Sequence, residues 1–384
     1  MSPCDYTIYA PEQLGLDSGR IDELVERARQ GVEKGPLPSV QIALAKDGKL
    51  VLFSTLGDAD NSQRYNILSC TKPLVASAVW LLMAAGEVDI SQRVCEFIPG
   101  FAGNGKEAVT VEQLLCHTAG IPQAPLGPPT WYNRDARLEK MASWRLNWEP
   151  GTRMEYHPTS AHWVLAELIQ RITGVDYRRY IDLAVLSPLG LTGFQLGVPP
   201  AEQADIATLY SVGAPPSAEE LEQIFGVAME WPEVSEEALL RFNEAETRTL
   251  GVPGAGAVAS AASVALFYQC LLHNPGELWD PLILSDATGT IRVNFADPAT
   301  GIAANRGLGV VIAGDDGLAA RRGMGKTASA RSFGHPGAGG QVAWADPVSG
   351  ISFCMLTNGL DANPIRAARF GAALSSRAAD ATGT

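Results

Sequence analysis

The sequence predicts an α/β (α+β) fold in which an antiparallel sheet, built from both chain ends and flanked by helices, carries an inserted all-helical domain. Three observations predict it. Two β-rich runs, Ser39–Lys46 and Lys49–Thr55, are joined by Asp47-Gly48, a dipeptide that tolerates the positive φ angles of a tight hairpin. From Ser69 to about Leu272 the chain then reads as helices and loops. Strand patterns return only late, as Gly307–Ala313, Gln341–Ala345 and Ile351–Thr357, the last two joined by the turn Asp346–Gly350. Strands at both termini with helices between them make one sheet with an insertion. The expected domains are 1–65 with 300–384, and 66–299, with a cleft at their junction.

In chain order, Ser18–Val32 carries a helical stripe at Ile21, Leu24, Val25 and Ala28, opened by Asp17 or Ser18 as a cap. Leu74–Met83 is an apolar run that reads as a buried helix, and Pro73 fixes its first turn, where a missing N–H costs nothing. Gly- and Pro-rich strips follow at Ile121–Pro129 and Gly251–Gly256, with helices expected at Ala161–Ile172 and Val264–Leu272. Asn363–Leu374 reads as a closing helix, and the small-residue tail Ser375–Thr384 as a frayed end.

The totals exclude several function classes. A length of 384 residues with 46% hydrophobic content suits a globular protein of two domains or of one core with a large insertion. A net charge of −13 argues against nucleic acid or an anionic membrane surface as partner. The start Met1–Tyr6 shows neither a basic nor an apolar leader pattern, which sets the expectation of a cytoplasmic protein, monomer or homodimer. Six scattered cysteines then read as reduced, mostly buried thiols. The five histidines lack ligand spacing, and there is neither a phosphate loop nor a zinc-binding His-Glu-x-x-His, so no metal and no cofactor is expected. No Gly-x-Ser-x-Gly elbow occurs.

What remains is Ser69-Cys70-Thr71-Lys72 at the entrance of the apolar helix. A three-residue spacing puts Ser69 and Lys72 on one helix face. A serine hydroxyl needs a base within hydrogen-bond reach to become a nucleophile. A lysine gains basicity only through desolvation or a neighbouring cation. Backbone N–H groups at a helix start favour a developing oxyanion. An isolated Ser-x-x-Lys is most often a helix start with a surface lysine. Here Lys72 is the only one of seven lysines with a serine three residues before it, and it opens an apolar helix where an idle lysine is costly. Tyr156, in Pro150–Ser160 just before the helix Ala161–Ile172, is the candidate third group, because a phenol beside an ammonium can act as base and then acid. Spacing alone leaves it a loop tyrosine.

Four motifs occur in order: Ser69-x-x-Lys72, Leu114–Gly120 around His117, Pro150-Gly151 to Tyr156, and Phe333–Gly340. Together they resemble the serine β-lactamase superfamily, on the side of class C β-lactamases, DD-peptidases and family VIII carboxylesterases, over nearly the whole chain. The resemblance implies a β-lactamase/transpeptidase-like fold, Ser69 as nucleophile, Lys72 and Tyr156 as the base pair, and an oxyanion hole from the N–H groups of Ser69 and Ala338.

Two departures from the family pattern stand out. Tyr-x-Asn is here Tyr156-His157-Pro158, and Lys-Thr-Gly is here His335-Pro336-Gly337; Lys326-Thr327-Ala328 is a decoy without the glycine. Both weaken the grip on β-lactam or D-Ala-D-Ala substrates and favour neutral esters. The reading is therefore a serine carboxylesterase acting on small or medium carboxylic esters, with His335 and Gly337 lining the substrate site. An acyltransferase, an amide or β-lactam hydrolase, and a non-catalytic binding relative are the alternatives. Trp131 and Tyr132 on the Pro122–Arg134 loop, and Phe225, Met229 and Trp231 in Leu221–Leu240, are either pocket lids or ordinary core.

Overall fold

A computed structural model describes residues 3–217 and 235–383. Its central sheet has seven strands: β1 (Asp5–Ile8), β2 (Ser39–Lys46), β3 (Lys49–Gly57), β4 (Val311–Ile312), β5 (Phe333–Gly334), β6 (Val342–Asp346) and β7 (Ile351–Thr357). They lie in the order β1-β3-β2-β7-β6-β5-β4, so the two chain ends meet at the β2–β7 pair. That pair runs in register from Val40 opposite Thr357 to Lys46 opposite Ile351. The sheet is antiparallel except at one edge, where β1, which the sequence pattern did not show, runs parallel to β3. At the hairpin tip Asp47 and Gly48 have φ of 50° and 77°, the double positive φ that Asp-Gly supplies at low cost.

The late strands are shorter than their apolar runs. Of Gly307–Ala313 only Val311–Ile312 is extended, because Gly307 N–H bonds to Val310 O and Gly309 takes a left-handed φ of 86°. A Cβ at Gly309 would fall 2.3 Å from that of Ala76, so the bend brings this backbone close to the helix behind Ser69.

Helices α1 (Ser18–Glu33), capped by the Asp17 side chain, and α5 (Pro364–Ala379), capped by Asn363, pack on one sheet face. Their layer buries Leu24, Ala28, Val40, Ile42, Leu44, Trp344, Phe353 and Leu374. The alternate residues Ala43, Ala45, Cys354 and Leu356 face the other way, into the larger core. The expected frayed tail is ordered instead. Trp344 Nε1 donates to the buried Ser375 Oγ at 3.1 Å, and Ala378 and Ala381 are fully buried.

The second face is covered by α4 (Ala261–His273), which the sequence reading assigned to the inserted unit. Hydrogen bonds peg it there: Ala261 N–H to Gln41 Oε1, Gln269 Nε2 to the carbonyls of Ala45 and Gly350, and Ser352 Oγ to the carbonyl of Ala265. Behind it lie α2 (Lys72–Ala84) and α3 (Ser160–Thr173), which pack on each other. The six cysteines are unpaired, five of them buried, and Cys4 and Cys270 bring their sulfurs to 3.3 Å. Among the described residues no helix is long and apolar enough to cross a membrane, and no cluster of His, Cys, Asp and Glu could hold a metal ion.

Candidate active site

Ser69 lies in a 3-10 turn, Leu68–Thr71, that runs directly into α2. Leu68, a bulky residue, is held at φ 47°, an unfavourable left-handed conformation enforced by burial of its side chain. α2 is buried almost all round and pinned at two tryptophans: Trp80 Nε1 donates to Leu308 O and Trp279 Nε1 donates to Ser77 O. The nucleophile candidate therefore stands on a rigid post, itself only partly exposed.

Lys72 is completely buried, and its Nζ reaches three oxygens: Ser69 Oγ at 3.3 Å, Pro158 O at 2.8 Å and Gly254 O at 2.8 Å. Three acceptors match the three donors of an ammonium. Gly254 explains the glycine-rich strip at Gly251–Gly256. A Cβ there would sit 2.9 Å from Pro158 O and 3.3 Å from Lys72 Nζ, so only glycine lets this carbonyl approach.

Tyr156 Oη donates to Ser69 Oγ at 2.8 Å. The loop carrying it is fastened to the His117 motif: Gly151 N–H donates to Thr118 O, Glu155 N–H to His117 O and His157 N–H to His117 Nδ1. His157 is bonded at both ring nitrogens, Nδ1 to Glu155 O at 2.6 Å and Nε2 accepting from Ile121 N–H at 3.0 Å. Its place beside Tyr156 in sequence is thus a bracing one.

Four histidines surround the centre, and none is poised as a base. Burial holds His117, His162 and His335 well below the ordinary imidazole value, with the cation Lys72 adding to it at all three and Arg306 at His117 and His335. Burial takes His157 down to about 4, against the opposing pull of the Glu155 carbonyl. Cys70, beside Ser69, is pushed up to about 12 by burial and donates its S–H to His335 O, so it is packing rather than a reactive thiol.

The His335-Pro336-Gly337 motif leads out of β5. His335 N–H donates to Ala343 O and Gly337 N–H to Gln341 O, which places the turn at the end of β5 and β6. A Cβ on Gly337 would meet Ile67 O at 2.9 Å, so this turn presses against the chain entering Ser69. Lys326 and Thr327 instead bond to Ser376 on α5, away from the centre.

Among the described residues, two hollows open beside Ser69 and share Leu239 and Ala338. One, of about 370 Å³, is lined by the Pro122–Pro128 loop, Trp131, Leu239, Phe242 and Ala255. The other, of about 800 Å³, holds Tyr156, Arg306, His335, Gly337 and Asp297. Trp131 is thus at the site. Tyr132 is not: its hydroxyl pairs with Thr247 Oγ1, and it lines a separate hollow with Arg134 and Tyr177, because successive residues of a 3-10 turn point apart. Trp231, with Phe225 and Met229, lies outside the described residues. Arg306 was missed by sequence reading, since nothing in its local spacing marks it.

The Beta-lactamase family model matches residues 24–378. The chain belongs to the Beta-lactamase family. Among relatives, the Escherichia coli (strain K12) protein named "Putative D-alanyl-D-alanine carboxypeptidase" is 26% identical over 388 residues, covering 91% of this chain and 84% of that one. EstA from Arthrobacter nitroguajacolicus Rue61a is a similar solved structure, with TM-score 0.76, 25% identity and coverage of 98% and 99% of the two chains. A penicillin-binding protein homolog from Caulobacter crescentus superposes with TM-score 0.76 at 24% identity, covering 99% of each. A family VIII carboxylesterase does so with TM-score 0.75 at 23% identity, covering 96% and 99%. This Beta-lactamase-family protein therefore has the mixed α/β, β-lactamase-like fold of an enzyme, a serine hydrolase.

Proposed function

We propose that this hydrolase is a serine carboxylesterase that cleaves small or medium carboxylic esters through an acyl-enzyme on Ser69. The observation that carries the reading is the three-way contact of Ser69 Oγ with Tyr156 Oη at 2.8 Å and Lys72 Nζ at 3.3 Å. With its three donors engaged, Lys72 acts as a fixed positive charge; once Tyr156 has lost the proton with which it bonds to Ser69 Oγ in this structure, its phenolate is the group that takes the serine proton. Ser69 Oγ bonds to the ester carbon, and the carbonyl oxygen gathers charge against the N–H groups of Ser69 and Ala338. Tyr156 then returns the proton to the departing alcohol, and water releases the acid by the reverse path.

Ester rather than peptide specificity is supported by Pro158 and His335. Pro158 offers no side-chain amide to grip an acylamino group, and His335 is kept neutral by burial, which makes it a poor carboxylate anchor. The structure named as a family VIII carboxylesterase agrees with this reading, while the name of the Escherichia coli relative points to the runner-up, a D-alanyl-D-alanine carboxypeptidase. We place the reaction in the cytoplasm, with no nucleic acid, membrane or cofactor involved.

The test compares p-nitrophenyl butyrate, a D-alanyl-D-alanine peptide and a chromogenic cephalosporin in wild type and Ser69→Ala. Ester turnover far above the other two, lost in Ser69→Ala along with fluorophosphonate labelling, is expected. Faster peptide or lactam cleavage would reverse the assignment.

A further inference from the structure

We propose that Arg306 is a positioning residue for the proton relay: its guanidinium, set over the Tyr156 ring, favours the phenolate that accepts the proton of Ser69. The proposal rests on the acyl-enzyme reading above.

Two cations converge on one phenol. Arg306 Cζ lies 5.4 Å from the Tyr156 ring centroid, and Lys72 Nζ lies 4.8 Å from it. Arg306 comes from a part of the chain remote from all four motifs, and its backbone is clamped on both sides. Its N–H donates to Val293 O at 2.8 Å, its carbonyl accepts from Arg292 N–H at 2.8 Å, and it bridges to Val311 on the sheet edge. The residue is 7% exposed, and Nη1 points to His335 Nε2 at 3.4 Å.

Among the described residues, the other groups facing Tyr156 add no charge that would replace it. The rings of His117 and His335 stand 4.8 and 5.8 Å away, and both stay neutral through burial. Asp297, Glu236 and Asp361 line the wider hollow. A cation is attracted to a neutral ring and far more strongly to a phenolate. A unit charge about 6 Å away, at an effective dielectric constant near 20, displaces an ionisation by up to ~2 pH units. Arg306 thus supplies from the sheet edge a second positive charge near the tyrosine, in a chain whose third motif carries no lysine.

The step balances as follows. The Oγ–H bond of Ser69 breaks and its proton goes to Tyr156 O⁻. The oxygen's electron pair forms the bond to the ester carbon, and the carbonyl π pair moves to oxygen. On collapse that pair returns, the ester C–O bond breaks, and the leaving alkoxide takes the proton from Tyr156. Arg306 touches none of these atoms. It acts through Tyr156.

The test measures kcat/KM for p-nitrophenyl butyrate and the rate of fluorophosphonate labelling from pH 5.5 to 10 in wild type, Arg306→Met and Arg306→Lys, with thermal melts to follow folding. In Arg306→Met the acid limb of both profiles should move to higher pH by about one unit or more, so that activity lost at neutral pH returns in mild alkali. Arg306→Lys should restore most of the displacement. A uniform loss at every pH, with the limb unmoved, overturns the proposal. If Arg306→Met fails to fold, ultraviolet difference titration near 295 nm of wild type against Tyr156→Phe decides instead. Ionisation of that phenol below the ordinary tyrosine range, about 10, is the expected result, and ionisation at or above it overturns the proposal. Failure of the underlying reading looks different: Ser69→Ala would then keep its ester turnover and its label.

Discussion

Lys72 Nζ donates to the carbonyl of Pro158 at 2.8 Å, so the residue standing where β-lactamases carry an asparagine contributes a backbone oxygen in place of a side-chain amide. That bond, with the one to Gly254 O, fixes the ammonium between α2, the Tyr156 loop and the Gly251–Gly256 strip. The lysine is thereby a structural keystone as well as the charge beside Ser69.

The first prediction follows from this double role. Tyr156→Phe keeps the ring and removes only the hydroxyl, and should lower ester turnover by at least ~10²-fold with little change in melting temperature. Lys72→Met should be comparably severe in turnover but should also reduce stability, because the carbonyls of Pro158 and Gly254 lose their donor. The double variant should be little slower than either single, as groups acting as one unit are non-additive. Near-wild-type turnover in Tyr156→Phe would return Tyr156 to the status of a loop residue.

If the acyl group of an ester enters the hollow of about 370 Å³, that hollow limits its length. Its walls are chiefly proline and apolar side chains, and its floor includes the buried ring of Phe242. Short p-nitrophenyl acyl chains should therefore be preferred. Phe242→Ala deepens the hollow and should move the optimum to longer chains, a shift read from kcat/KM across acetate to decanoate. An unchanged optimum would assign the acyl group to the wider hollow instead.

The buried histidines make a prediction about pH and stability. Their folded-state values lie below the unfolded value of about 6.5, so at mildly acid pH the unfolded chain binds protons the native protein refuses. Stability is then complete above pH ~6.5 and is lost as pH falls toward ~4, on the order of 3 kcal/mol from His157 alone. Denaturant midpoints at pH 7.5, 6, 5 and 4.5 should fall in that order. A flat profile would mean that these rings are charged or solvated in the native protein.

Much of this was legible in the sequence. Asp47-Gly48 announces its hairpin because a double positive φ restricts residue choice, and Ser69 and Lys72 share a helix face by their spacing, whereas Tyr156 stood out only through the order of the four motifs. Three things were not legible, each because a distant part of the chain decides it. α4 looks like any apolar helix, and only the polar pegs at Gln41, Gln269 and Ser352 tie it to the sheet. The tail from Ser375 reads as frayed by composition, yet Trp344 gives Ser375 a partner. Arg306 is one arginine among many until the fold sets it over Tyr156.

Gln269 tests the assignment of α4 to the sheet. The residue is 2% exposed and its side chain has five partners: Oε1 faces Gly48 N–H at the hairpin tip and His273 Nε2, and Nε2 faces Ala45 O, Gly350 O and Ser352 Oγ. It thus joins one helix to the β2–β3 hairpin and the β6–β7 turn. Gln269→Leu fills a similar volume but strands the Gly48 N–H and two carbonyls, each costing ~1–3 kcal/mol when buried without a partner. With partial relaxation the loss should be about 3 kcal/mol in denaturant unfolding. Because Gln269 lines neither hollow beside Ser69, ester turnover per folded molecule should stay at the wild-type level. A loss of turnover without a loss of stability would mean instead that α4 couples directly to the active site.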